Sequence, residues 1–75
     1  SYMFEKTKEV KLSISGMSCN HCVNTVTQAL KSVKGVKKVS VSLEDKTAHI
    51  TAKETVAASA LTDAVSSAGF SAKEM

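Results

Sequence analysis

The stretch GMSCNHC, residues 16–22, contains both cysteines of the chain and lies where the hydrophobic pattern changes its period. Before it, apolar and polar residues alternate over residues 8–15, which predicts a half-buried β-strand. After it, apolar residues recur at helical spacing over residues 21–33, and Gly35 marks the end of that helix. The two thiols therefore lie at a strand-to-helix junction, where they can form a soft metal site or a redox pair.

The residues after the first helix predict a β-hairpin followed by a second helix. Alternating stretches at residues 36–43 and 47–52 flank a polar turn at residues 44–46, which is typical of a hairpin. An alanine-rich helix is expected over residues 56–68, with Thr55 as its N-cap. The predicted inward face of this helix consists of Ala57, Leu61, Ala64, Val65 and Ala68.

A short last strand is expected at residues 70–74, after Gly69 ends the second helix. The order strand, helix, strand, strand, helix, strand predicts an α+β fold, the ferredoxin-like βαββαβ sandwich, with a four-stranded antiparallel sheet and both helices on one face. A chain of 75 residues makes one small domain, which we assign to residues 8–75. Residues 1–7 are expected to be a flexible N-terminus, and one interpretation of residues 1–2 is a cloning scar.

The composition argues against a nucleic-acid-binding or membrane-embedded protein. The net charge is only +3, every basic residue is lysine, and aromatic residues make up 4%, whereas nucleic-acid recognition usually adds arginine forks and stacking aromatics. No apolar run approaches the ~20 residues of a membrane span, and the N-terminal residues lack the apolar region of a signal peptide. We therefore expect a cytoplasmic protein, whose cysteine pair is more typical of metal binding or catalysis than of a structural disulfide.

The position and number of candidate ligands favour a soft ion of low coordination number. At a helix start, unpaired backbone N–H groups and the positive end of the dipole favour the thiolate form of Cys19 and Cys22. Zinc prefers four ligands, but His49 belongs to the predicted third strand and His21 is expected to face outward. A closed zinc site is therefore poorly supported, whereas two thiolates suit Cu(I).

The motif around the cysteines resembles that of a known family. Residues 16–22 match the G-M-x-C-x-x-C motif of heavy-metal-associated domains, which include copper chaperones, N-terminal modules of copper-transporting P-type ATPases and periplasmic mercury-binding proteins. The resemblance extends over residues 8–74 and includes KGV at residues 34–36 and AGF at residues 68–70. It implies the same ferredoxin-like fold that the element order predicts.

The resemblance also implies a function. A copper chaperone of this kind is not an enzyme: it holds Cu(I) at the positions that match Cys19 and Cys22, and it hands the ion on by stepwise thiolate exchange. The implied partner is a copper-transporting P-type ATPase or another C-x-x-C copper protein. We expect a monomer without metal and leave a copper-bridged dimer open. The alternatives within the family are an N-terminal module of a copper-transporting ATPase and a protein that binds mercury or another soft metal.

A thiol–disulfide oxidoreductase is the alternative from a different class, because C-x-x-C at a helix start is also the thioredoxin arrangement. Thioredoxin-like proteins, however, place a cis-proline against the disulfide, and this chain contains no proline. The redox function is therefore less favoured than metal binding. Reduction of insulin by the protein would distinguish the two.

Three residues near the cysteines are expected to support the metal site. Met17 is expected to fill the core under the loop rather than to bind the ion directly. His21 is interpreted as a solvated loop residue, or as an outer-sphere or transient ligand that modulates the site with pH. Phe70 is expected to be a core residue under the metal loop; bacterial chaperones commonly have tyrosine there, and phenylalanine is more familiar from ATPase modules.

A cluster of lysines surrounds the end of the first helix. One interpretation is a solvated cap, and the other is a docking face for an acidic partner, which would make metal transfer slower at high salt. The cluster consists of Lys31, Lys34, Lys37 and Lys38.

Overall fold

The computed structural model describes residues 6–75, so the interpretation of residues 1–2 and the first five residues of the expected flexible N-terminus, residues 1–7, lie outside the described residues. Thr7, which lies in that expected flexible segment, belongs to the first strand. The elements in chain order are β1 (Thr7–Ser15), α1 (Asn20–Lys31), β2 (Val36–Ser42), β3 (Thr47–Lys53), α2 (Ala58–Ser67) and β4 (Ser71–Glu74). The four strands form one antiparallel sheet in the order β2-β3-β1-β4, and the two helices contact each other as well as the sheet. The predicted ferredoxin-like fold is confirmed.

The hydrophobic core lies between the sheet and the two helices. Alternate residues of β1 and β3 point inward, because successive side chains of a strand face opposite sides of the sheet, and each helix adds one apolar stripe. The buried core residues of these elements are Val10, Leu12, Ile14, Val26, Leu30, Ala48, Ile50, Ala52, Leu61 and Val65. Burial of one leucine or isoleucine side chain contributes roughly 1.5–3 kcal/mol, so these positions dominate stability. Neither described helix has the length and apolar character needed to cross a membrane.

Helix α2 begins later than predicted. The sequence pattern places its start at Val56, but α2 begins at Ala58, and Ala57 is an extended N-cap residue without a side-chain capping hydrogen bond. Thr55 is exposed and does not cap the helix, and Ala57 is exposed rather than inward. The reason is a turn before the helix, in which the Val56 N–H donates to the Lys53 carbonyl at 2.9 Å. This turn, rather than a helical turn, directs the Val56 side chain into the core.

Two further boundaries differ slightly from the prediction. Helix α1 ends at Lys31, and the Val33 N–H donates to the Leu30 carbonyl at 3.1 Å in a tighter turn beyond the helix. Strand β4 begins one residue later than predicted, because the Phe70 N–H donates to the Val65 carbonyl at 3.2 Å. Phe70 therefore closes the C-terminal end of α2 instead of opening the strand.

Strand pairing brings three segments together at one end of the sheet. Strand β1 ends and β4 begins at this end, where Ser15 is opposite Ser71. The turn between β2 and β3 lies at the same end, because the Ile14 N–H donates to the Lys46 carbonyl at 2.8 Å. The loop at residues 16–19, which carries the first cysteine, therefore lies beside the β2–β3 turn and the connection from α2 to β4.

Candidate metal site

The loop before α1 has a base packed on the core and an exposed tip. Gly16 has a φ of +101°, a left-handed conformation that favours glycine, and a Cβ atom at this position would lie 3.3 Å from Cδ1 of Phe70. Met17 is 7% exposed and packs into the core, as predicted. Phe70 is half-buried and packs against the same core. Ser18 and Cys19 at the tip of the loop are exposed to solvent.

The first cysteine begins helix α1. Cys19 is the N-cap residue, with extended backbone angles and no side-chain capping hydrogen bond. Its carbonyl accepts the N–H groups of Cys22 and Val23 at 3.0 and 3.2 Å. The first turn of α1 contains no acidic residue, so no carboxylate there offsets the positive end of the helix dipole. This environment favours negatively charged sulfur next to the helix.

The two sulfur atoms are close together but not bonded. The Sγ atoms of Cys19 and Cys22 are 3.9 Å apart, and both cysteines are free. Cys19 is exposed, whereas Cys22 is half-buried. The site therefore has an outer sulfur on Cys19, which another molecule can reach, and an inner sulfur on Cys22, the less exposed of the two residues.

Ser18 contacts the inner sulfur and stabilises its charged form. The Ser18 Oγ atom lies 3.8 Å from Cys22 Sγ. Hydrogen bonds from the backbone N–H and then the hydroxyl of Ser18 hold the pKa of the Cys22 thiol below its usual value of 9.0. Burial acts in the opposite direction, and the N–H and thiol of Cys19 add a smaller lowering. The sequence does not predict this contact. Ser18 lies four positions before Cys22, and it is the folded loop that brings its hydroxyl close to the sulfur.

Neither histidine completes a larger ligand set. His21 is exposed in the first turn of α1, and His49 is exposed on β3, where it is paired with Lys11 and Ser40 of the neighbouring strands. Within residues 6–75, no group of three or more histidine, cysteine, aspartate or glutamate side chains is placed to hold one ion. Of the predicted site residues, the structure therefore brings together the two sulfurs, and Met17 and Phe70 lie beneath them in the core.

Two thiols at the start of the first helix of a βαββαβ sandwich define a class of small metal-binding domains. The model of the heavy-metal-associated domain matches residues 11–71 of this chain. The chain belongs to the heavy-metal-associated domain family.

Relatives of the chain include both copper and mercury proteins. The chain is 38% identical over 64 residues to the copper chaperone CopZ of Enterococcus hirae, and the match covers 84% of this chain and 93% of that protein. It is 42% identical over 65 residues to the periplasmic component of the mercuric transport protein of Shigella flexneri, covering 85% of this chain and 71% of that protein. The crystal structure of oxidized MerP from Ralstonia metallidurans CH34 superimposes with a TM-score of 0.87 at 36% identity, covering 92% of this chain and 97% of that chain.

Some relatives are much longer than this chain. The chain spans 12% of the mercuric reductase of Shewanella putrefaciens, to which it is 42% identical over 65 residues. It spans 6% of the copper-transporting ATPase of Saccharomyces cerevisiae, at 33% identity over 63 residues. The same domain therefore occurs both as most of a small protein and as a small part of a large one.

Proposed function

We propose that this domain carries Cu(I): Cys19 and Cys22 bind one ion, and the domain passes it to the C-x-x-C pair of a partner such as a copper-transporting P-type ATPase. The domain acts as a carrier and not as an enzyme, and we place the exchange in the cytoplasm, where thiols remain reduced. The observation that carries the proposal is the pair of sulfurs 3.9 Å apart, which no histidine, aspartate or glutamate joins as a third ligand within residues 6–75. A site with so few protein ligands suits an ion that accepts a low coordination number, such as Cu(I).

The spacing of the sulfurs allows both to bind one ion. If both metal–sulfur bonds are about 2.3 Å, the usual length of a Zn–S bond, the present separation corresponds to an S–metal–S angle of roughly 115°. An ion bound by both sulfurs would be accessible on the side of Cys19, because Cys19 is exposed. A third sulfur from a partner can therefore approach without prior loss of either ligand.

The surroundings of the sulfurs offset the charge of the loaded site. Two thiolates and one Cu(I) carry a net charge of about −1. The N-terminus of α1 supplies positive potential, and the N–H and hydroxyl of Ser18 donate toward the sulfur of Cys22. Residues 12–30 contain no lysine, arginine, aspartate or glutamate. Within that segment, the charge of the loaded site is therefore offset by the helix N-terminus and by these hydrogen-bond donors, and not by a charged side chain.

The different exposure of the two sulfurs supports a defined order of exchange. A partner thiolate forms a bond to the ion while the bond to the exposed Cys19 breaks, and Cys19 leaves with its electron pair as a thiolate. No electron is transferred, so copper remains Cu(I) throughout. The bond to Cys22 breaks last, because the residue Cys22 is half-buried and its sulfur contacts the hydroxyl of Ser18.

The test of this proposal is an anaerobic Cu(I) titration in competition with a chromophoric Cu(I) chelator. We expect one tightly bound ion per chain, loss of that ion in the C19S and C22S variants, and transfer to a purified heavy-metal-associated module of a copper ATPase. A double variant of both cysteines that still competes with the chelator would refute the site. Tight binding without any transfer to the module would refute the carrier function.

Mercury is the second candidate cargo, because the periplasmic mercuric transport protein is 42% identical to this chain. Affinity alone does not decide between the two ions, since a thiolate pair binds both Hg(II) and Cu(I). The genes next to this one are more informative: a mercury transporter and reductase would support mercury, and a copper ATPase would support copper.

The third candidate is a module of a copper pump, because the matching segment makes up only 6% of the yeast copper-transporting ATPase. The full-length gene decides this question. A stop codon close to Met75 supports a free carrier, and a following series of membrane spans supports a pump module.

A further inference from the structure

A groove opens at the end of the molecule opposite the cysteines, which we call the distal groove. It lies between the C-terminal end of α1, the end of β3 and the start of α2, and its volume is about 430 Å³. Helix α1 separates the groove from the cysteines. The helix has 12 residues, and at a rise of about 1.5 Å per residue it is about 18 Å long. The groove is lined by Val33, Lys34, Gly35, Lys53, Thr55, Val56, Ala57 and Ala60.

The backbone of the distal groove is held in place from two sides. The Lys53 N–H donates to the Gly35 carbonyl at 2.8 Å and so joins the β3 end to the loop after α1. Gly35 has a φ of +96°, and a Cβ atom there would lie only 2.6 Å from Cγ2 of Val56. The close approach of Gly35 and Val56 therefore fixes one wall, and Val33 and Ala60 add apolar surface beside it.

The rim of the distal groove is positively charged. Lys34 and Lys53 line it, and Lys31, which ends α1, is close in sequence. The first turn of α2, which begins at the groove, contains no acidic residue. Among the described residues, Glu54 is an acidic residue adjacent in sequence to the groove lining, and it is exposed in the segment between β3 and α2. A surface of this kind complements a ligand that has both a carboxylate and an apolar side chain.

We propose that the distal groove docks an acidic segment of a partner protein, with a carboxylate against Lys34 at the rim and an apolar side chain against Val33, Val56 and Ala60. Charge complementarity and the apolar wall together favour a peptide segment over a small anion, which would use only the lysines. This docking site does not depend on metal binding. Because the cysteines lie about 18 Å away along α1, a partner held here leaves them free for exchange.

The test is a titration of the ¹⁵N-labelled full chain, followed by NMR, with an acetylated and amidated peptide of alternating glutamate and leucine. We expect saturable shifts of the amide signals of Gly35, Val56 and Ala60 and no shift at Cys22. The matching peptide with glutamine in place of glutamate should shift none of them. The Lys34→Glu variant should bind the acidic peptide about tenfold more weakly, because a charge-assisted contact becomes repulsive.

Matched variants keep this test specific. Lys11→Glu makes the same charge change at an exposed position on β1, and Ser59→Gln is the control for Ala60→Gln, which places a longer side chain over the groove. Equal weakening by Lys11→Glu and Lys34→Glu would overturn the proposal, and so would unchanged binding in Ala60→Gln. Shifts of the same amides by inorganic phosphate, with displacement of the peptide, would identify a small-anion site and also overturn it. Cu(I) binding by Lys34→Glu is expected to be unchanged, which separates this proposal from that of the metal site.

Discussion

At one end of the sheet, the metal loop and α1 present two thiols within a segment that carries no full charge: residues 12–30 contain no lysine, arginine, aspartate or glutamate. At the other end, lysines surround the distal groove, and two of them line it. The first end can recognise a partner through sulfur chemistry, which acts at bonding distance. The second end can recognise a partner through charge, which acts over about 8 Å at physiological salt.

The two ends also differ in how their backbones are fixed. At the metal end, a Cβ atom on Gly16 would meet a flexible aromatic ring, that of Phe70, at 3.3 Å. At the distal end, a Cβ atom on Gly35 would meet Cγ2 of the buried Val56 at 2.6 Å. The metal loop can therefore yield by small movements, as a site that exchanges an ion requires, whereas the distal end is rigidly packed. The experiments below test this contrast.

The largest effect is expected at the metal end, from loss of a sulfur ligand. Four-ligand zinc sites contribute about 10–16 kcal/mol, or about 2.5–4 kcal/mol per ligand, so C19S or C22S should weaken Cu(I) binding by about 10²–10³-fold. Chelator competition measures this change. His21→Ala is the control, because His21 is exposed and forms no group of three potential metal ligands with the two cysteines within residues 6–75. A loss of affinity as large as that of C19S would show that His21 is a ligand.

The second prediction compares the loss of stability when the glycine at each end of the molecule is replaced by alanine. Gly35→Ala should lower the free energy of unfolding by about 2–4 kcal/mol, because the new Cβ atom combines a left-handed φ with overlap against Val56. Gly16→Ala should cost less, about 1–2 kcal/mol, because the Phe70 ring can move. Urea denaturation of both variants provides the comparison. Equal destabilisation would contradict the proposed difference in rigidity between the two ends.

The parts of this molecule that could be predicted from sequence are those with strict periodicity or a local motif. Alternation in β1 and β3 predicts the buried faces, and the C-x-x-C spacing at a helix start predicts that two sulfurs converge. The start of α2 could not be predicted, because Val56 and Ala57 fit the helical pattern of apolar residues by chance. In the structure, the chain forms a turn at Val56 and the helix begins after Ala57. The contact of Ser18 with Cys22 and the distal groove depend on tertiary positions that no local pattern encodes.

The third prediction concerns the inner sulfur. Ser18→Ala should raise the pKa of Cys22 toward its usual value, because the hydroxyl that stabilises the thiolate is removed. The change is moderate, since the Ser18 backbone N–H, which is the largest cause of the lowered pKa, remains. The pH dependence of alkylation of the C19S background, which isolates Cys22, measures it. Ser18→Thr keeps the hydroxyl and should behave like the parent; an equal shift in both variants would assign the effect to the loop rather than to the hydroxyl.

The same contact gives a stability that depends on pH. Because the pKa of Cys22 is lower in the folded chain than in the unfolded one, the thiolate stabilises the fold fully above the usual thiol value of 9.0, and this contribution is lost as the pH falls through the lowered folded pKa. The metal-free protein should therefore unfold at a slightly higher temperature at the alkaline side of this window. Cys22→Ser removes the titrating group and should abolish the difference, whereas persistence of the difference would assign it to other groups.

The smallest effect is expected from salt on metal transfer. The predicted slowing at high salt depends on Lys31, Lys34, Lys37 and Lys38 acting on a partner that docks at the cysteines. Lys31, the last residue of α1, is about 18 Å from the start of the helix by its rise per residue, more than twice the screening length of about 8 Å at physiological salt. We therefore expect Cu(I) transfer to an ATPase module to slow by no more than about twofold between 0.05 and 0.3 M salt, on the order set by such screened charges.

Binding of an acidic peptide at the distal groove should weaken far more over the same range of salt, because the charges of the peptide and the groove are in direct contact. A steep salt dependence of transfer that Lys34→Glu abolishes would show that the two ends act on one partner together.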